Sequence, residues 1–350
     1  MNIAIVGATG NVGRKLLEVL QKKNFAFDNI YLIASPKSAG KKIHFKNQDH
    51  IIHDIENYDF SKAEITFFAA GSAIAEKWAP VAAKNSIVID NSKNFRMDPD
   101  VPLVVPEVNS QHLKLYKNKN IIANANCSVI PLVVALKPLH DLYDIKRIVA
   151  STYQSVSGAG KSAMDELLSQ TKEFYENKEL KSKYFTKQIA FNAIPHIDKF
   201  LDNGYTKEEQ KMHDEVKKIL DTKIKVTSTS VRIPVLVSHA VSVNVEFNRK
   251  YKLDEIRNVL GSSPGCKLVD KMEDGGYVTP VEAENEYETF ISRIRKDDSQ
   301  ENTINLWIVS DNLLKGAALN AVEIAETLIK NFRWTKKILY HHIYKFIIGI

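Results

Sequence analysis

A short apolar run followed directly by three spaced glycines is the feature that most restricts the fold of this chain. Residues 3–6 read IAIV, Gly7, Gly10 and Gly13 follow, and the amphipathic segment VGRKLLEVLQKK comes next. This order predicts a buried parallel strand, a glycine turn and a helix. Small residues let the backbone approach a pyrophosphate, and the positive end of the helix dipole stabilises its charge. The pattern favours dinucleotide binding over the alternative, a purely structural strand-to-helix turn.

The segment after the second predicted strand (NIYLIA, 29–34) indicates which dinucleotide binds. An NAD-binding fold usually presents an acid to the ribose 2′-hydroxyl at this point. The chain continues SPKSAGK and holds no acid there, whereas Ser35, Lys37 and Ser38 suit a 2′-phosphate. We therefore expect NADP; the alternative is a solvated basic loop.

Further apolar runs alternate with helical patterns and continue the α/β order, at 65–70, 86–90 and 120–125. At 350 residues the chain is long for one hydrophobic core, so two domains are expected.

Charge and composition argue against several classes of protein. From Thr327 to Ile350 there are five basic residues and no acidic one, and the rest of the chain carries 43 basic and 42 acidic residues. The net charge of +6 therefore belongs to the end of the chain and does not indicate a nucleic-acid-binding surface. We find no signal peptide and no run of about 20 apolar residues. Two cysteines fit a reducing compartment, so we expect a cytoplasmic protein with no membrane contact.

Cys127 is the first candidate for chemistry. It follows the predicted strand at 120–125 and precedes the helical pattern SVIPLVVALKPLHDLYD, in which Pro131 suits the first turn. A thiol at a helix N-terminus is expected to have a lowered pKa, and the helix N–H groups there can hold an oxyanion. The alternative is a buried structural cysteine. Cys266, in SSPGCKLVD, has no such setting and is expected to be structural.

His239 is the best candidate for a base among ten histidines, because it opens an alternating strand pattern. Arg232 lies seven residues earlier, and an odd separation places two residues on opposite faces of a straight strand. Pro234 interrupts the pattern between them and weakens this objection. The histidines show no zinc-type spacing, so no metal is expected.

The stretch SVSGAGKS resembles the phosphate loop G-x-x-x-x-G-K-[ST]. Ser155 stands where that motif requires its first glycine, so a nucleoside-triphosphatase loop is not favoured.

Several motifs together resemble aspartate-semialdehyde dehydrogenase over residues 1 to about 332. They are GATGNVG, NFRM, NANCS, YQSVSGAGKS, TKEEQK, RIPVLVSHAVSV and DNLLKGAA. The resemblance implies an α/β protein with a Rossmann-type NADP-binding domain and an α+β catalytic and dimerisation domain like that of glyceraldehyde-3-phosphate dehydrogenase. The expected domains are residues 1–126 completed by a helix at 312–332, residues 127–311, and an atypical tail at 333–350.

The resemblance also implies an activity. NADPH would reduce L-aspartyl 4-phosphate to L-aspartate 4-semialdehyde with release of phosphate, in the biosynthesis of lysine/diaminopimelate, threonine and methionine. Cys127 matches the nucleophile that forms a thioester, His239 the acid/base, and Gln154 a residue that orients the acyl group. A homodimer or homotetramer is expected.

The other site residues follow from the same resemblance and from charge. Arg232 suits the substrate α-carboxylate, and Glu208 the α-amine. Lys211 lies three residues after Glu208, so both project from one face of the helix predicted over 206–221. Lys211, Arg96 and Asn126 match the phosphate contacts. The expected cofactor contacts are Gly7, Thr9, Gly10, Asn11, Val12, Gly13, Ser35, Lys37, Ser38, Ser157, Gly158 and Asn312.

Two features depart from the family pattern. Ala125 stands where proline is usual and Val129 where a small residue is usual, so we expect modest changes in loop stiffness. The tail RWTKKILYHHIYKFIIGI is not part of the pattern, and removal of residues 335–350 is expected to leave activity intact. For the tail we weigh loose packing, a protein interface and, last, a membrane surface.

Three other functions are considered. An N-acetyl-gamma-glutamyl-phosphate reductase shares the reaction class but has no use for Glu208 beside a free amine. A cysteine hydrolase does not explain the glycine turn or Lys37. A non-catalytic relative is expected to lose the nucleophile.

Overall fold

The structure, a computed structural model, describes residues 1–333. Its first sheet has eight strands: β1 (Ile3–Val6), β2 (Ile30–Ala34), β3 (Lys42–Phe45), β4 (Gln48–Asp54), β5 (Ile65–Phe68), β6 (Ile87–Asp90), β7 (Leu103–Val104) and β8 (Ile121–Asn124). They lie in the order β3-β4-β2-β1-β5-β6-β8-β7. Every neighbouring pair is parallel except β3 and β4. The strands expected from the apolar runs are confirmed to within two residues.

Three helices connect these strands: α1 (Asn11–Lys22), α2 (Ser72–Ala82) and the short α3 (Pro106–Asn109). The glycine turn links β1 to α1, at the point where the strand order reverses between β2 and β5. In open α/β sheets the carboxyl ends of the strands at such a point form the ligand-binding crevice. The fold therefore places the glycine turn where the sequence pattern requires it.

The second sheet has six strands: β9 (Ile145–Gln154), β10 (Lys225–Arg232), β11 (His239–Phe247), β12 (Cys266–Leu268), β13 (Thr289–Lys296) and β14 (Thr303–Ser310). Their order is β10-β9-β11-β14-β13-β12, with parallel and antiparallel pairs. The helices of this half are α4 (Val129–Tyr143), α5 (Lys161–Tyr175), α6 (Lys207–Ile219) and α7 (Leu253–Ser262). The two sheets confirm the predicted fold class.

Helix α4 crosses between the two halves of the molecule. Its residues Leu132 and Leu136 belong to the same buried cluster as Val241 and Val243 of β11. Side chains alternate along a strand, so every second residue of β11, beginning with His239, faces α4. The first sheet ends at Asn124 and the second begins at Ile145. The domain boundary at residue 126 stays a prediction.

The last helical segment differs from the prediction of one amphipathic helix over 311–332. It begins with a π-helical turn (Leu314–Leu319), continues as α8 (Asn320–Leu328) and ends in a second π-helical turn (Ile329–Arg333). Every residue from 313 to 322 is buried, because the segment packs against the first sheet while its beginning also contacts the cysteine turn. Its assignment to the first domain stays a prediction; the part from 313 to 322 is buried on all sides and is not amphipathic as predicted.

No helix within residues 1–333 has both the length and the apolar character needed to cross a membrane. The tail expected over 333–350 lies outside the described residues apart from its first residue, so the truncation at 335 stays a prediction.

Candidate active site

Three predicted site residues form a row at one edge of the second sheet. Arg232 ends β10 and is paired in register with Gln154, which ends β9. His239 begins β11 and is also paired with Gln154. Residues that lie side by side on neighbouring strands point to the same face, and here that face is covered by α4. A loop at 233–238, which contains Pro234, separates β10 from β11, so the objection based on the odd spacing of Arg232 and His239 does not apply.

Cys127 lies at the start of α4, as predicted, directly before Ser128, which is the N-cap residue of the helix. Its side chain is partly exposed. Asn126 occupies the N–H groups that follow: its side-chain oxygen accepts from Ser128 N–H at 2.8 Å, and its carbonyl accepts from Val129 and Ile130. The expectation that these helix N–H groups hold an oxyanion is therefore wrong. Within residues 1–333, the N–H of Cys127 itself has no hydrogen-bond acceptor.

The thiol of Cys127 is not acidified in this structure. Burial raises its pKa to about 11, and the Glu208 carboxylate acts in the same direction. Arg96, Arg232 and Lys211 act in the opposite direction but do not compensate. The expectation of a lowered pKa is therefore wrong, because burial of the thiol and the negative charge of Glu208 outweigh the three cations.

Glu208 and Lys211 meet as the spacing predicted. Helix α6 begins with a capping box, in which Thr206 N–H donates to Glu209 Oε2 at 2.7 Å and Glu209 N–H donates to Thr206 Oγ1. One turn of the helix then brings Lys211 Nζ within 2.8 Å of Glu208 Oε2. Lys211 also pairs with Asp198 at 3.0 Å.

Glu208 is an ionised, buried carboxylate at the centre of the site. Its Oε1 accepts from Asn126 Nδ2 at 2.9 Å and from Gln154 Nε2 at 3.3 Å. Burial works to raise its pKa, but Lys211, Asn126 and Arg232 together hold the pKa of Glu208 at about 2. The site thus offers one stable negative charge for a cation of a ligand.

Arg96 is buried under the same cluster rather than exposed to solvent. Its guanidinium donates to Glu215 Oε1 at 3.0 Å, to the carbonyl of Asn124 at 2.9 Å and to the carbonyl of Asn91 at 3.0 Å. These bonds use three of its five N–H groups. The other oxygen of Glu215 accepts from Asn126 N–H at 2.7 Å. Arg96 and Lys211 both line a cavity of about 290 Å³ whose wall also includes Lys93 and Lys207.

The residues predicted to bind the cofactor lie in three places. Gly7, Thr9, Gly10, Asn11, Val12 and Gly13 form the turn between β1 and α1, Ser35, Lys37 and Ser38 follow β2, and Ser157, Gly158 and Asn312 lie beside His239. The turn at β1 suits a pyrophosphate. Gly7 has φ +85°, and a methyl group on it would lie 2.6 Å from the carbonyl oxygen of Ala69. Gly10 is exposed at the start of α1.

The loop after β2 presents an exposed lysine, as the sequence indicated. It forms a turn in which Ser38 N–H donates to the carbonyl of Ser35 at 2.9 Å, and the Lys37 side chain is exposed. Asn11 at the glycine turn reaches Met164 of α5, with 3.6 Å between Nδ2 and Sδ. The glycine turn and the loop that precedes α5 are therefore neighbours.

A buried polar network surrounds His239. Asn312 Oδ1 accepts from the N–H of Ser238 at 2.8 Å and from the hydroxyls of Ser155 and Ser157 at 3.2 Å. Ser238 has a φ of +74°, in the left-handed region, so its bond to Asn312 supports a left-handed turn immediately before His239. Asn312 follows β14, whose last residue Ser310 is paired with His239.

Three residues of the site were not found from the sequence. Ser155 contacts both His239 and Arg232, since its carbonyl accepts from Arg232 Nη1 at 2.6 Å. Glu215 holds Arg96 and Asn126; its position seven residues after Glu208, on the same face of α6, was the available signal. Gly316 packs on Cys127 across 189 positions of sequence, and no local pattern reveals such a contact.

Cys266 begins β12, and its structural role stays a prediction. Burial raises its pKa to about 12, and its thiol lies 3.7 Å from the carbonyl oxygen of Val134. The part of the chain that the structure describes contains no group of three or more metal-ligating side chains.

Comparison with known proteins gives consistent results. The family model "Semialdehyde dehydrogenase, NAD binding domain" matches residues 2–116, and "Semialdehyde dehydrogenase, dimerisation domain" matches residues 136–315. Aspartate-semialdehyde dehydrogenase of Rickettsia bellii is 50% identical over 332 residues, which cover 95% of this chain and 98% of that protein. The Aquifex aeolicus protein of that name is 49% identical over 332 residues, covering 94% and 98%. The crystal structure of aspartate semialdehyde dehydrogenase II complexed with ASA from Vibrio cholerae has a TM-score of 0.92 and 45% identity, covering 95% of this chain and 98% of that one.

Proposed function

This chain belongs to the aspartate-semialdehyde dehydrogenase family, and we propose that it reduces L-aspartyl 4-phosphate to L-aspartate 4-semialdehyde and phosphate with NADPH. The observation that carries the proposal is the position of Glu208. It is a buried and ionised carboxylate bonded to Asn126, the neighbour of Cys127, and to Gln154. A substrate with a free α-ammonium group complements this charge. An N-acetylated substrate does not, which disfavours the N-acetyl-gamma-glutamyl-phosphate reductase.

We assign the remaining substrate groups by charge. Arg232, in the same row as Gln154, faces the α-carboxylate with its planar guanidinium. Lys211, Arg96 and Asn126 face the phosphate; the first two also line the cavity of about 290 Å³, in whose wall four cationic residues outnumber the carboxylates of Asp214 and Glu215. Gln154 orients the acyl group. In this proposal the acyl carbon lies next to Cys127.

Cys127 is the proposed nucleophile. Its sulfur attacks the acyl phosphate, phosphate leaves, and a thioester remains on the enzyme. When bound, the reduced nicotinamide supplies the hydride that converts this thioester to the aldehyde. His239 is the proposed acid/base: it takes the thiol proton as the sulfur attacks and exchanges a proton with the sulfur or the reacting oxygen. Gly158 borders both its Nε2 and the guanidinium of Arg232. The place of the activity in the biosynthesis of lysine/diaminopimelate, threonine and methionine is part of the same proposal.

The chain carries an NAD(P)-binding domain, and we propose NADP as its natural cofactor. Support comes from the loop after β2, in which Lys37 is exposed and no acid is present between residues 34 and 41. The residues that would hold the pyrophosphate are Gly7 to Gly13, where the close approach of Ala69 leaves no room for a side chain on Gly7.

A dimerisation domain is present, and we propose that the chain forms a homodimer or homotetramer. The face of the second sheet opposite α4 supports this. There the rings of Tyr153 and Trp307 are in contact, with 5.4 Å between centroids and an angle of 53° between planes, and both stay partly exposed. A cavity of about 260 Å³ with Arg293 and Arg295 in its wall lies on this face. Light scattering coupled to size-exclusion chromatography measures the number of copies.

The reverse reaction provides the test of the activity. Purified protein is mixed with L-aspartate semialdehyde, phosphate and either NADP or NAD, and the absorbance of the reduced nicotinamide is recorded. We expect a phosphate-dependent signal that prefers NADP and is lost in Cys127→Ala. If the folded wild type gives no signal with this substrate but does with N-acetylglutamate semialdehyde, the substrate assignment is wrong and the reaction class stands.

A further inference from the structure

Lys218 is the last of four charged residues that form a stripe along α6. It follows Glu208, Lys211 and Glu215 at spacings of three, four and three residues, which place all of them on one face of the helix. Glu208 and Lys211 belong to the proposed substrate site, and Glu215 forms an ion pair of 3.0 Å with Arg96. The proposed reaction assigns no role to Lys218.

The ammonium group of Lys218 binds three main-chain carbonyls of one loop. Its Nζ lies 2.7 Å from the carbonyl oxygen of Arg96, 2.8 Å from that of Asp98 and 3.0 Å from that of Val101. A carbonyl oxygen only accepts, so three such bonds need all three hydrogens of a charged ammonium. Burial lowers the pKa of Lys218, while Asp98 and Glu215 act in the opposite direction. Three carbonyls of the loop thus surround one cation on α6.

The loop in question consists of residues 91–101, between β6 and β7, and contains neither helix nor strand. Asp98 N–H donates to the carbonyl of Phe95, and Val101 N–H donates to the carbonyl of Asp98, both at 3.2 Å. These two bonds lie within the loop, so they do not attach it to the rest of the protein. Lys218 provides an attachment at the carbonyl of Arg96 itself.

One helix therefore fixes both the main chain and the side chain of Arg96. Glu215 accepts from its guanidinium at 3.0 Å, and Lys218, three residues further along α6, donates to its carbonyl. Arg96 lines the cavity of about 290 Å³ together with three lysines, among them Lys211 of the same helix. The two contacts keep Arg96 at a constant position relative to Lys211, the other cation proposed to bind phosphate.

We propose that Lys218 is a positioning residue for the phosphate site: its ammonium fixes the main chain at Arg96 and so keeps the Arg96 guanidinium in the cavity wall. The proposal rests on the proposed function, since it concerns the phosphate that Arg96 and Lys211 are proposed to bind. Lys218 does not contact phosphate, because the loop carbonyls use its three hydrogens. Without Lys218 the loop has to be ordered when phosphate binds, and this cost weakens binding.

Lys218→Met tests this role, because methionine keeps most of the side-chain length and removes both the charge and the donors. Steady-state kinetics of the reverse reaction are measured with phosphate, L-aspartate semialdehyde and NADP varied in turn. We expect the KM for phosphate to rise about tenfold, while kcat and the other two KM values stay within about twofold of wild type. Lys217→Met, the same change at the neighbouring position off the stripe, is expected to leave all of these constants unaltered.

A folded Lys218→Met protein with an unchanged KM for phosphate overturns the proposal. Equal rises in all three KM values also overturn it, because they indicate a general loss of structure. Lys218→Arg decides the question if the methionine variant does not fold. Guanidinium N–H groups diverge in one plane and cannot converge on three carbonyls as an ammonium does. We therefore expect the KM for phosphate to rise at least about threefold in Lys218→Arg, and a wild-type value contradicts the proposed geometry.

Hydrogen exchange followed by mass spectrometry reads the loop without reference to activity. In a peptide that covers residues 91–101, we expect exchange at least about tenfold faster in Lys218→Met than in wild type or Lys217→Met, because the loop opens more often. Equal exchange in the three proteins shows that Lys218 does not hold the loop and overturns the proposal. A wild-type protein without activity on any semialdehyde refutes the proposed function, whereas the exchange of the loop is read independently of it.

Discussion

Gly316 lies directly against Cys127: a methyl group on Gly316 would stand 3.0 Å from both Cβ and the carbonyl oxygen of Cys127. Gly316 belongs to the π-helical turn Leu314–Leu319, so a segment near the end of the chain forms one wall of the cysteine turn. The position of Cys127, the proposed nucleophile, therefore depends on a residue without a side chain.

We predict that Gly316→Ala lowers kcat by about 3- to 10-fold, because the added methyl forces Cys127 to move by a few tenths of an ångström, and a misplacement of about 1 Å costs about 100-fold. Steady-state kinetics of the reverse reaction measures the effect. Gly261→Ala is the control, since a methyl there meets Leu268 at an ordinary 3.7 Å. Equal activity of the two variants would show that the cysteine turn adjusts without loss.

The reactivity of Cys127 in the empty enzyme is expected to depend on Glu208. The carboxylate raises the pKa of the thiol, which is about 11, so at pH 8 the cysteine is almost entirely a thiol. In Glu208→Gln this negative charge is lost and Lys211 keeps Asp198 as its only carboxylate partner among residues 1–333, and both changes lower the thiol pKa. A decrease of half a pKa unit raises the thiolate fraction about threefold.

The rate of alkylation by iodoacetamide at pH 8 measures this change. All variants carry Cys266→Ala, so that Cys127 is the cysteine that reacts. We expect Glu208→Gln to react at least about three times faster than the parent. Asp214→Asn, the same chemical change on the same helix, is expected to leave the rate unaltered. A slower reaction of Glu208→Gln would mean that Glu208 does not control the thiol.

The helices and strands follow from local sequence, whereas the hydrogen bonds and the thiol pKa at the site depend on contacts between distant residues. The glycine turn, the strands of the first sheet and the start of α4 follow from hydrophobic periodicity and turn residues within about ten positions. The capping of α4 by Asn126 does not, because an Asn before a cysteine does not reveal which N–H groups its oxygen will occupy. The pKa of Cys127 depends on Glu208, 81 positions later, and on burial, which no local pattern reports.

The sequence between Arg232 and His239 contained a sign of the loop that separates their two strands. Pro234 lacks an N–H and is unsuited to a central strand, which indicated an interruption. The structure has a complete loop there, with Ser238 in a left-handed conformation, and this loop brings both residues beside Gln154. Pairing between strands, rather than alternation within one strand, sets the geometry of the site.

Lys315 is predicted to hold the last helical segment in place. It is 1% exposed and forms ion pairs with Glu107 and, at 2.7 Å, with Glu323. Lys315→Met leaves two largely buried carboxylates without their cation, and we expect the free energy of unfolding to fall by about 3–5 kcal/mol. Urea denaturation followed by circular dichroism gives the value. Adding Glu107→Gln and Glu323→Gln to this variant is expected to restore much of the loss; no recovery would mean that packing, not charge, is responsible.

Lys37 is predicted to select NADP. Its ammonium is exposed in an acid-free loop, so a 2′-phosphate gains a charge-assisted hydrogen bond that a 2′-hydroxyl does not. We expect Lys37→Ala to raise the KM for NADP about tenfold while the KM for NAD and both kcat values stay unchanged. Lys41→Ala, which removes the same charge four residues along the loop, is the control and is expected to have a smaller effect. Equal effects of the two variants on NADP would show that the loop acts by its general positive charge, and an equal rise in both KM values for Lys37→Ala would remove Lys37 as the discriminating residue.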